Sequence, residues 1–303
     1  MNYTKPALSF GEQAQRLLDR GMIAPDKTTL IERLSVVNYY RLSAYWYPFK
    51  TIDPATGQES FYPNTTFEKI WRRYTFDHHL RLLIMDAIER VEIAILRTHM
   101  VEQFTLAHSP FGYCEPSNFA PTLDHQRLMR EINEATRRSK EEFVQRFRRK
   151  YTSEKDLPLW MTAEVMTFGQ LFTFLRYMHR TEKKQLARRF ALYPPVLDSW
   201  MHTLNFTRNA CAHHARLWNR QIPVRPLIPA KRHQPEWHEI KIDPERVFAI
   251  LTILNYLLVR ITPQTNWKKR LFDLLQEYDD IPLDDMGFPE NWQNSALWKG
   301  QIL

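Results

Sequence analysis

The stretch that decides the fold class is FEKIWRRYTFDHHLRLLIMDAIERVEIAI, residues 67–95. Apolar side chains recur in it at intervals of three and four, which is the spacing of one face of an α-helix. This apolar face consists of Phe67, Ile70, Trp71, Tyr74, Leu80, Leu83, Ile84, Ala87, Ile88, Val91 and Ile95. Because the pattern is longer than an average helix, it predicts one long helix that leaves room for a bend near Asp77.

Helical signals extend from this stretch toward both ends of the chain. Two capping-box pairs, Ser9 with Glu12 and Thr65 with Glu68, mark the starts of helices. Further helices are predicted over residues 28–36, 123–150, 160–178, about 196–217, 247–261 and 267–278. No alternating apolar and polar run predicts a long strand. The sequence therefore indicates an all-α protein with additional N-terminal helices and, at most, small strands in its loops.

The C-terminal part combines an irregular loop with an apolar helix. Residues 221–240 contain four prolines and are predicted to form an irregular loop. Asp243-Pro244-Glu245 has the pattern of an N-cap, a first-turn proline and a first-turn acid. The apolar run Val247–Ile261 that follows is too short to span a bilayer and contains Asn255. It is therefore predicted to be a core helix, and no membrane partner is expected.

The chain is expected to consist of two parts. Residues 1–60 are predicted to form an N-terminal helical and aromatic segment. Residues 61–303 are predicted to form a helical domain that carries the charged stretch 123–150 as an insertion. The sequence leaves open whether the N-terminal segment is a separate domain or packs on the helical body.

Composition favours a polyanionic partner and an intracellular location. The formal net charge is +8 and the isoelectric point is about 9.4, which favours nucleic acid over an anionic membrane as the partner. The two cysteines, Cys114 and Cys211, form no C-x-x-C motif, so neither a zinc site nor a disulfide framework is expected. We expect a cytoplasmic protein with no metal and no cofactor.

The chemistry-bearing stretch is NFTRNACAHHARLWNR, residues 205–220. On the predicted helix, a polar stripe beside the apolar face contains His202, Asn205, Asn209, His213 and Arg216. The neighbouring Arg208 projects about 140° from His213, and its long side chain can reach toward that stripe. One helix thus presents an arginine, an amide and an imidazole to a single phosphate.

These residue types suit RNA cleavage by transesterification. Histidine can exchange protons near neutral pH, and arginine matches the oxygens of a phosphate and stays charged. We therefore take Arg208, His213 and Asn209 as catalytic candidates. One histidine does not obviously serve as both base and acid, so a homodimer that joins two copies of the motif is expected. The alternative is a solvated helix face, and adjacent His213 and His214 make a poor metal chelate.

Two groups of residues are candidates for RNA contact. The cationic end of the charged stretch contributes Arg146, Arg148, Arg149 and Lys150, and the aromatic run NYYRLSAYW contributes Tyr40 and Arg41. The polar stripe adds Arg216. The alternatives are a solvated helix face crossed by ion pairs for residues 123–150 and a helix packed through its aromatic residues for 38–46.

The stretch RNACAHHARLWNR, residues 208–220, resembles the signature of the Abi (abortive infection) family, in particular the AbiD/AbiF-like phage-resistance proteins. Five other blocks resemble the family's conserved stretches. They are Lys5-Pro6 with Gln13 and Asp19-Arg20-Gly21, the block NYYRLSAY from Asn38, the blocks YTFDHHLR and ERVEIA from Tyr74 and Glu89, and Met286-Gly287-Phe288-Pro289 with Trp292. Ala44 and His78 stand where the family commonly has glycine and arginine.

The resemblance implies a helical bundle of the HEPN superfamily, whose hallmark is R-x(4–6)-H. Arg208 fits with His213 at four intervening residues and with His214 at five, so the spacing leaves the acting histidine open. HEPN ribonucleases act without a metal, usually as dimers. Some are toxins restrained by a partner, and the AbiF-like group is associated with a structured non-coding RNA. Such an RNA is therefore an expected partner here.

Three residues are accessory candidates: His214, Asn205 and Glu92. The carboxylate of Glu92 is expected either to orient a histidine or to pair with Arg90 or Arg97. The expected function is a conditional toxin, an endoribonuclease acting in phage defence. The alternatives are a non-catalytic RNA-binding protein of the same fold and a protein-interaction module that senses phage.

Overall fold

The computed structural model describes Asn2 and residues 6–299, so Lys5 of the opening block lies outside the described residues. The chain divides into two compact units. Unit 1 comprises the residues up to 80 together with 274–281, and unit 2 comprises 81–273 together with the residues from 282 onward. The expected division at residue 60 falls inside unit 1. The predicted all-α class is confirmed, because helices dominate and the described strands form one small hairpin.

Unit 1 begins with three helices and the hairpin. The helices are α1 (Phe10–Asp19), α2 (Lys27–Val36) and α3 (Tyr39–Trp46), and the antiparallel strands are β1 (Lys50–Ile52) and β2 (Glu59–Phe61). The capping box of Ser9 and Glu12 is confirmed. The aromatic run forms α3, whose Tyr45 and Trp46 are buried while Tyr40 is 88% exposed. The alternative interpretation, a helix packed through its aromatic residues, therefore holds for Tyr45 and Trp46 but not for Tyr40.

The long helix of residues 67–95 exists but differs in detail from the prediction. Helix α4 (Phe67–Val91) runs without a break through Asp77 and continues as a π-helix, Glu92–Met100, and then as α5 (Val101–His108). The buried carboxylate of Asp77 accepts a 2.6 Å hydrogen bond from the Tyr45 hydroxyl. The departure from α-helical hydrogen bonding therefore lies at residues 92–100.

The predicted capping box at Thr65 is wrong. The Thr65 hydroxyl donates to the carbonyl of Tyr62 at 2.7 Å, which removes it from the helix end. The next residue supplies the cap, because the Thr66 hydroxyl accepts a 3.3 Å hydrogen bond from the Lys69 amide. Either threonine hydroxyl can cap a helix. The Thr65 hydroxyl bonds with the preceding turn, so Thr66 caps α4.

Unit 2 contains most of the remaining helices. They are α6 (His125–Arg138), α7 (Glu142–Lys150), α8 (Leu159–Val165), α9 (Phe168–Tyr177), α10 (Arg180–Arg189), α11 (Pro194–Ala212) and α12 (Val247–Ile261). The last helix, α13 (Trp267–Glu277), crosses the division between the units, as α4 does. The charged stretch thus forms two helices, and the apolar region 160–178 also forms two.

Helix α12 is a core helix, as predicted, and its residues Val247–Leu258 are all buried. Its predicted N-cap is wrong, because the helix begins at Val247 with Arg246 as the capping residue. Asp243 instead closes a preceding turn, where its side chain accepts a 2.9 Å hydrogen bond from the Glu245 amide. Within the described residues, the helices are too short or too polar to span a bilayer.

Helix α11 is held by its neighbours along one side. Its buried face includes Leu197, Trp200, Met201, Leu204 and Cys211, as the periodicity predicted, whereas Ala212 and Ala215, predicted on the same face, are exposed and half-buried. Gly169, at the start of α9, lies so close to α11 that a Cβ there would be 3.8 Å from the Asn205 amide nitrogen. One turn along each helix, Phe172 stacks on His202 with ring centroids 5.3 Å apart. These contacts fix α11 while leaving its C-terminal end exposed.

Candidate active site

Helix α11 ends at Ala212, five residues before the predicted end at Leu217. His213 is the C-cap residue, and His214 adopts the left-handed conformation with φ 57°. The Ala215 amide donates to the carbonyl of Ala210 at 2.8 Å, and the His214 amide donates to that of Cys211 at 2.9 Å. This pair of hydrogen bonds is a Schellman motif, which satisfies the last carbonyls and turns the chain away from the helix axis.

The residues after the Schellman motif anchor the chain. Leu217 and Trp218 are completely buried, and the Asn219 side chain accepts a hydrogen bond from Arg246 at 3.4 Å. Arg246 in turn packs against Gly287, where a Cβ would lie 2.4 Å from the Arg246 Cβ. The predicted placement of Arg216 on the helical stripe is therefore wrong, because the helix has ended before it.

Arg208 and Asn209 lie in the last turns of α11, and His213 follows as its C-cap residue. The Arg208 guanidinium donates to the Asn209 side-chain oxygen at 3.4 Å, and the Asn209 backbone carbonyl accepts from the His213 amide at 3.0 Å. Asn209 and His213 are exposed, and Arg208 is half-buried. No described residue hydrogen bonds with the His213 ring. A ligand can therefore reach all three side chains.

Asn205 and His214 flank this group in different ways. Asn205 lies one turn before Asn209 and is half-buried beside Gly169. His214 is exposed, but its backbone is left-handed, so its side chain does not follow the side-chain directions of the helix. Of the two adjacent histidines, His213 alone keeps the helical hydrogen bond to the residue that contacts Arg208.

Glu92 forms the ion pair with Arg97 that was the alternative to a role near a histidine. The Glu92 carboxylate lies 2.5 Å from Nη2 of Arg97. The same guanidinium also donates to the carbonyls of Ala163 and Met166 at the end of α8. Arg97 thus joins the π-helix to α8, and Glu92 neutralises its charge there.

The predicted RNA-binding cations of α7 are only partly available. Arg146 lies 3.5 Å from Glu142, and Arg148 donates to the carbonyl of Thr136 on α6 at 2.9 Å. Lys150 lies 5.1 Å from the centre of the Tyr151 ring, and Arg149 is exposed. Tyr40 and Arg41 belong to unit 1, so they are in a different unit from Arg208.

Sequence reasoning missed a basic cleft in unit 2. Its volume is about 1520 Å³, and it is bordered by α10, the start of α11 and the loop at residues 230–236. Arg180, Lys184 and Arg188 line it from α10. Their spacing of four residues was visible in the sequence, but α10 itself was not predicted because it lacks a broad apolar face.

Neither cysteine suits nucleophilic chemistry. Cys211 is buried on α11, and burial raises the pKa of the Cys114 thiol to about 12, with a smaller contribution from Asp156. A thiol with so high a pKa carries almost no thiolate at neutral pH. In the described part of the chain, no three His, Cys, Asp or Glu side chains are grouped to hold a metal ion.

The sequence profile of the Abi-like protein family matches residues 32–219, which is more than half of the chain. This chain belongs to the Abi-like protein family. The matched region contains α11, the Arg208–His213 group and the buried anchor at Leu217 and Trp218. Membership supports a role in abortive infection, the form of phage defence for which the family is named.

The match ends at Asn219, so the block from Met286 to Trp292 of this Abi-like protein lies beyond it. No curated protein and no solved structure matches the chain. The site is therefore interpreted from its own geometry together with the family membership.

Proposed function

We propose that this Abi-like protein is a HEPN-type endoribonuclease that cuts RNA without a metal and acts as a conditional toxin in abortive infection. The observation that carries the proposal is the accessible group of Arg208, Asn209 and His213. It lies at the end of a helix whose other face is firmly packed. A rigid helix that presents accessible polar groups is a suitable support for catalysis.

The reaction joins the ribose 2′-oxygen to phosphorus and breaks the bond from phosphorus to the 5′-oxygen. One proton leaves the 2′-hydroxyl and one reaches the departing 5′-oxygen, giving a 2′,3′-cyclic phosphate and a 5′-hydroxyl. His213 performs one of these proton transfers. Arg208 stabilises the negative charge that develops on the phosphate oxygens, and Asn209 positions the guanidinium.

The second proton transfer needs a second group. In a two-fold dimer, the partner's copy of the same helix end would bring another imidazole to the phosphate. We favour His213 over His214 because its backbone is bound to Asn209, whose side chain contacts Arg208. Asn205 lies one helical turn before Asn209, and we propose that it contacts the substrate next to the cleaved bond.

The proposal includes RNA in two roles: as the substrate and as a structured non-coding regulator that restrains the toxin in the cytoplasm. The net charge of +8 supports an RNA partner, because cations that neutralise phosphates supply most of the affinity for nucleic acid. The candidate contacts in α7, with Tyr40, Arg41 and Arg216, remain proposals for the regulator.

The test is cleavage of labelled cellular RNA in EDTA by protein freed of co-purified nucleic acid. Wild type should cut, while Arg208→Ala and His213→Ala should each be slower by roughly 100-fold or more. His238→Ala is the control for the loss of an imidazole, because His238 is exposed and lies outside α11. Arg137→Ala, an exposed arginine on α6, controls for the loss of positive charge.

The variants also separate the competing functions. Full activity in His213→Ala with loss in His214→Ala would assign the reaction to the other histidine. Absence of cleavage by wild type, together with RNA binding that Arg208→Ala weakens, would favour the non-catalytic RNA-binding protein. Absence of both cleavage and RNA binding would favour the phage-sensing module.

A further inference from the structure

The basic cleft of unit 2 is separate from the Arg208–His213 group, and none of its lining residues belongs to that group. Seven cationic side chains line it, and its two carboxylates belong to Asp198 and Glu236. The cations are Arg176, Arg180, Lys183, Lys184, Arg188, Arg232 and Arg260. Asp198 is already neutralised by Lys183, whose ammonium nitrogen lies 2.8 Å away. The remaining excess of positive charge in a concave site indicates an anionic ligand.

The cations of helix α10 fall into two groups: those that pair with other residues of the fold and those that can contact a ligand. On its packed side, Lys183 is buried and donates to Asp198 and to the carbonyl of Arg176, and Arg189 pairs with Glu102 at 2.7 Å. On its cleft side, Arg180, Lys184 and Arg188 are exposed and have no partner among the described residues. These three residues are called the α10 ladder below.

The α10 ladder has the geometry of a row of phosphate contacts. Its members are four residues apart, so they lie on one side of the helix and about 6 Å apart along its axis. Like charges at this spacing destabilise a helix when nothing neutralises them. A row of phosphates bound along α10 would remove that repulsion, whereas a compact anion would reach only part of it.

Aromatic side chains also line the cleft. Tyr193 is 49% exposed, and its ring centre lies 4.5 Å from that of His233. The Tyr193 hydroxyl hydrogen bonds with Nδ1 of His233 at 3.0 Å, and Arg232 donates to Nε2 at 2.9 Å. These contacts hold both rings in place. Exposed rings beside cations are suited to stacking the bases of a single strand.

The floor of the cleft offers a polar group. The side-chain amide of buried Gln234 donates to the Ala191 carbonyl and to the Tyr256 hydroxyl, both at 2.6 Å. Its oxygen is buried and has no donor among the described residues. A buried acceptor normally has a donor, so this oxygen adds an unsatisfied polar group to the lining of the cleft.

From these features we propose that the cleft binds a single-stranded segment of RNA, with phosphates along the α10 ladder and a base on Tyr193. A volume of about 1520 Å³ exceeds that of most small-molecule pockets, which favours several nucleotides over one. The inference rests on the proposed function in taking RNA as the ligand. It adds a binding site distinct from the site of cleavage.

The two sites lie at opposite ends of α11. Val196 lines the cleft, and His213 follows it by 17 residues, which corresponds to about 26 Å along a helix. A strand held in the cleft therefore does not place the same nucleotide at Arg208. The cleft selects or retains RNA, and cleavage takes place elsewhere on the strand or on another strand.

The experiment measures binding of a labelled 12-nucleotide single-stranded RNA of mixed sequence, with His213→Ala as the background so that cleavage does not interfere. In that background, the cleft variant replaces Arg180, Lys184 and Arg188 with alanine. The control variant replaces Arg137, Lys155 and Lys241, which are exposed and do not line the cleft. Both variants lose the same charge, and circular dichroism confirms that each is folded.

The cleft variant should bind about 100-fold more weakly at 0.1 M salt, and the slope of log affinity against log salt should fall by about 2. Each phosphate contact on a single strand contributes about 0.7 to that slope. Replacing Tyr193 with leucine should weaken binding roughly tenfold, whereas Tyr193→Phe should retain it. Equal affinity and slope for the cleft and control variants would overturn the proposal.

Competition distinguishes the source of the phosphate. Adenosine monophosphate that displaces the RNA at micromolar concentration would identify a free-nucleotide site and overturn the proposal for a strand. Failure of the two proposals can also be told apart. If the α10 ladder binds RNA but wild type does not cleave it, the cleft proposal stands and the ribonuclease proposal fails. If wild type cleaves RNA but the α10 ladder does not contribute to binding, the ribonuclease proposal stands and the cleft proposal fails.

Discussion

Two basic regions of unit 2 use similar residues for different purposes. In α6 and α7, most arginines contact a partner: Arg127 with Glu131, Arg138 with Glu134, Arg146 with Glu142, and Arg148 with the Thr136 carbonyl. In α10, the three residues of the ladder have no partner in the described part of the chain and face a cleft. Arg130, Arg137 and Arg149 of α6 and α7 are also exposed, so the two regions differ less in the number of unpaired cations than in shape, because the α10 ladder lines a concave cleft.

The comparison teaches that neutralisation and shape matter more than the number of charged residues. Exposed ion pairs contribute little to stability, but they reduce the local field that a phosphate would encounter. A concave surface with unneutralised cations does the opposite. Cations that belong to the fold should affect the free energy of unfolding, whereas cations that bind a ligand should affect the affinity for RNA.

The largest effect is expected from Lys183→Met, which removes the cation that neutralises Asp198. Loss of one member of a buried ion pair leaves an uncompensated charge, and the cost is about 2 kcal/mol here because the Asp198 side chain is 28% exposed. Urea unfolding measures the change. The adjacent exposed lysine gives the control, since Lys184→Met should cause no loss of unfolding free energy.

The effect of Lys183→Met should also depend on pH. Burial raises the pKa of Asp198 above its ordinary value of 3.8, and the hydrogen bond from Lys183 opposes that rise. A carboxyl group with a raised folded pKa destabilises the fold as pH increases through the range between the two values. The loss in Lys183→Met should therefore shrink when unfolding is measured below pH 4. A loss that is independent of pH would show that packing, not charge, is responsible.

The next effect concerns the contact between α6 and α7. Arg148→Ala removes the hydrogen bond to the Thr136 carbonyl and should reduce the unfolding free energy by about 1.5 kcal/mol. Its neighbour Arg149 is exposed and serves as the matched control, with an expected change near zero. Equal changes for the two variants would mean that the Arg148 contact contributes nothing to joining the helices.

A smaller effect is expected when α7 loses its remaining cations. Replacing Arg146, Arg149 and Lys150 with alanine should weaken binding of single-stranded RNA by no more than about fivefold, the contribution of one phosphate contact at 0.1 M salt. Arg146 is paired with Glu142, and Lys150 lies over the Tyr151 ring, so Arg149 is the main available charge. A loss of RNA affinity as large as that of the cleft variant would show that the cations of α7 bind RNA as strongly as the α10 ladder does.

Much of the fold could be predicted from periodicity because burial follows it closely. The long helix, the core helix at Val247 and the capping box at Ser9 all depend on local patterns that no distant contact overrides. Helix α10 could not be predicted in the same way, because its buried face is narrow and its remaining residues are polar. The π-helix at Glu92–Met100 likewise has no local sequence signal.

The end of α11 shows where local reasoning fails at the site itself. Glycine is the usual residue in the left-handed position that ends a helix, and here His214 occupies it. The sequence therefore contained no stop signal before Leu217. Burial of Leu217 and Trp218 fixes the path of the chain beyond the helix, and this tertiary contact is consistent with the end at Ala212. The residue types of the candidate site were predictable, whereas the position of Arg216 was not.

The smallest effect comes from the middle of the α10 ladder and has opposite signs in two measurements. Lys184→Gln removes the repulsion between Lys184 and its like-charged neighbours, Arg180 and Arg188. The free energy of unfolding measured in urea should therefore rise by about 0.5 kcal/mol. The same change removes a phosphate contact, so RNA affinity should fall about fivefold at 0.1 M salt. Lys155→Gln, an exposed lysine outside the cleft, should change neither quantity. A charge that lowers stability while raising affinity is retained for binding, and a loss of both in Lys184→Gln would instead assign the ladder to the fold.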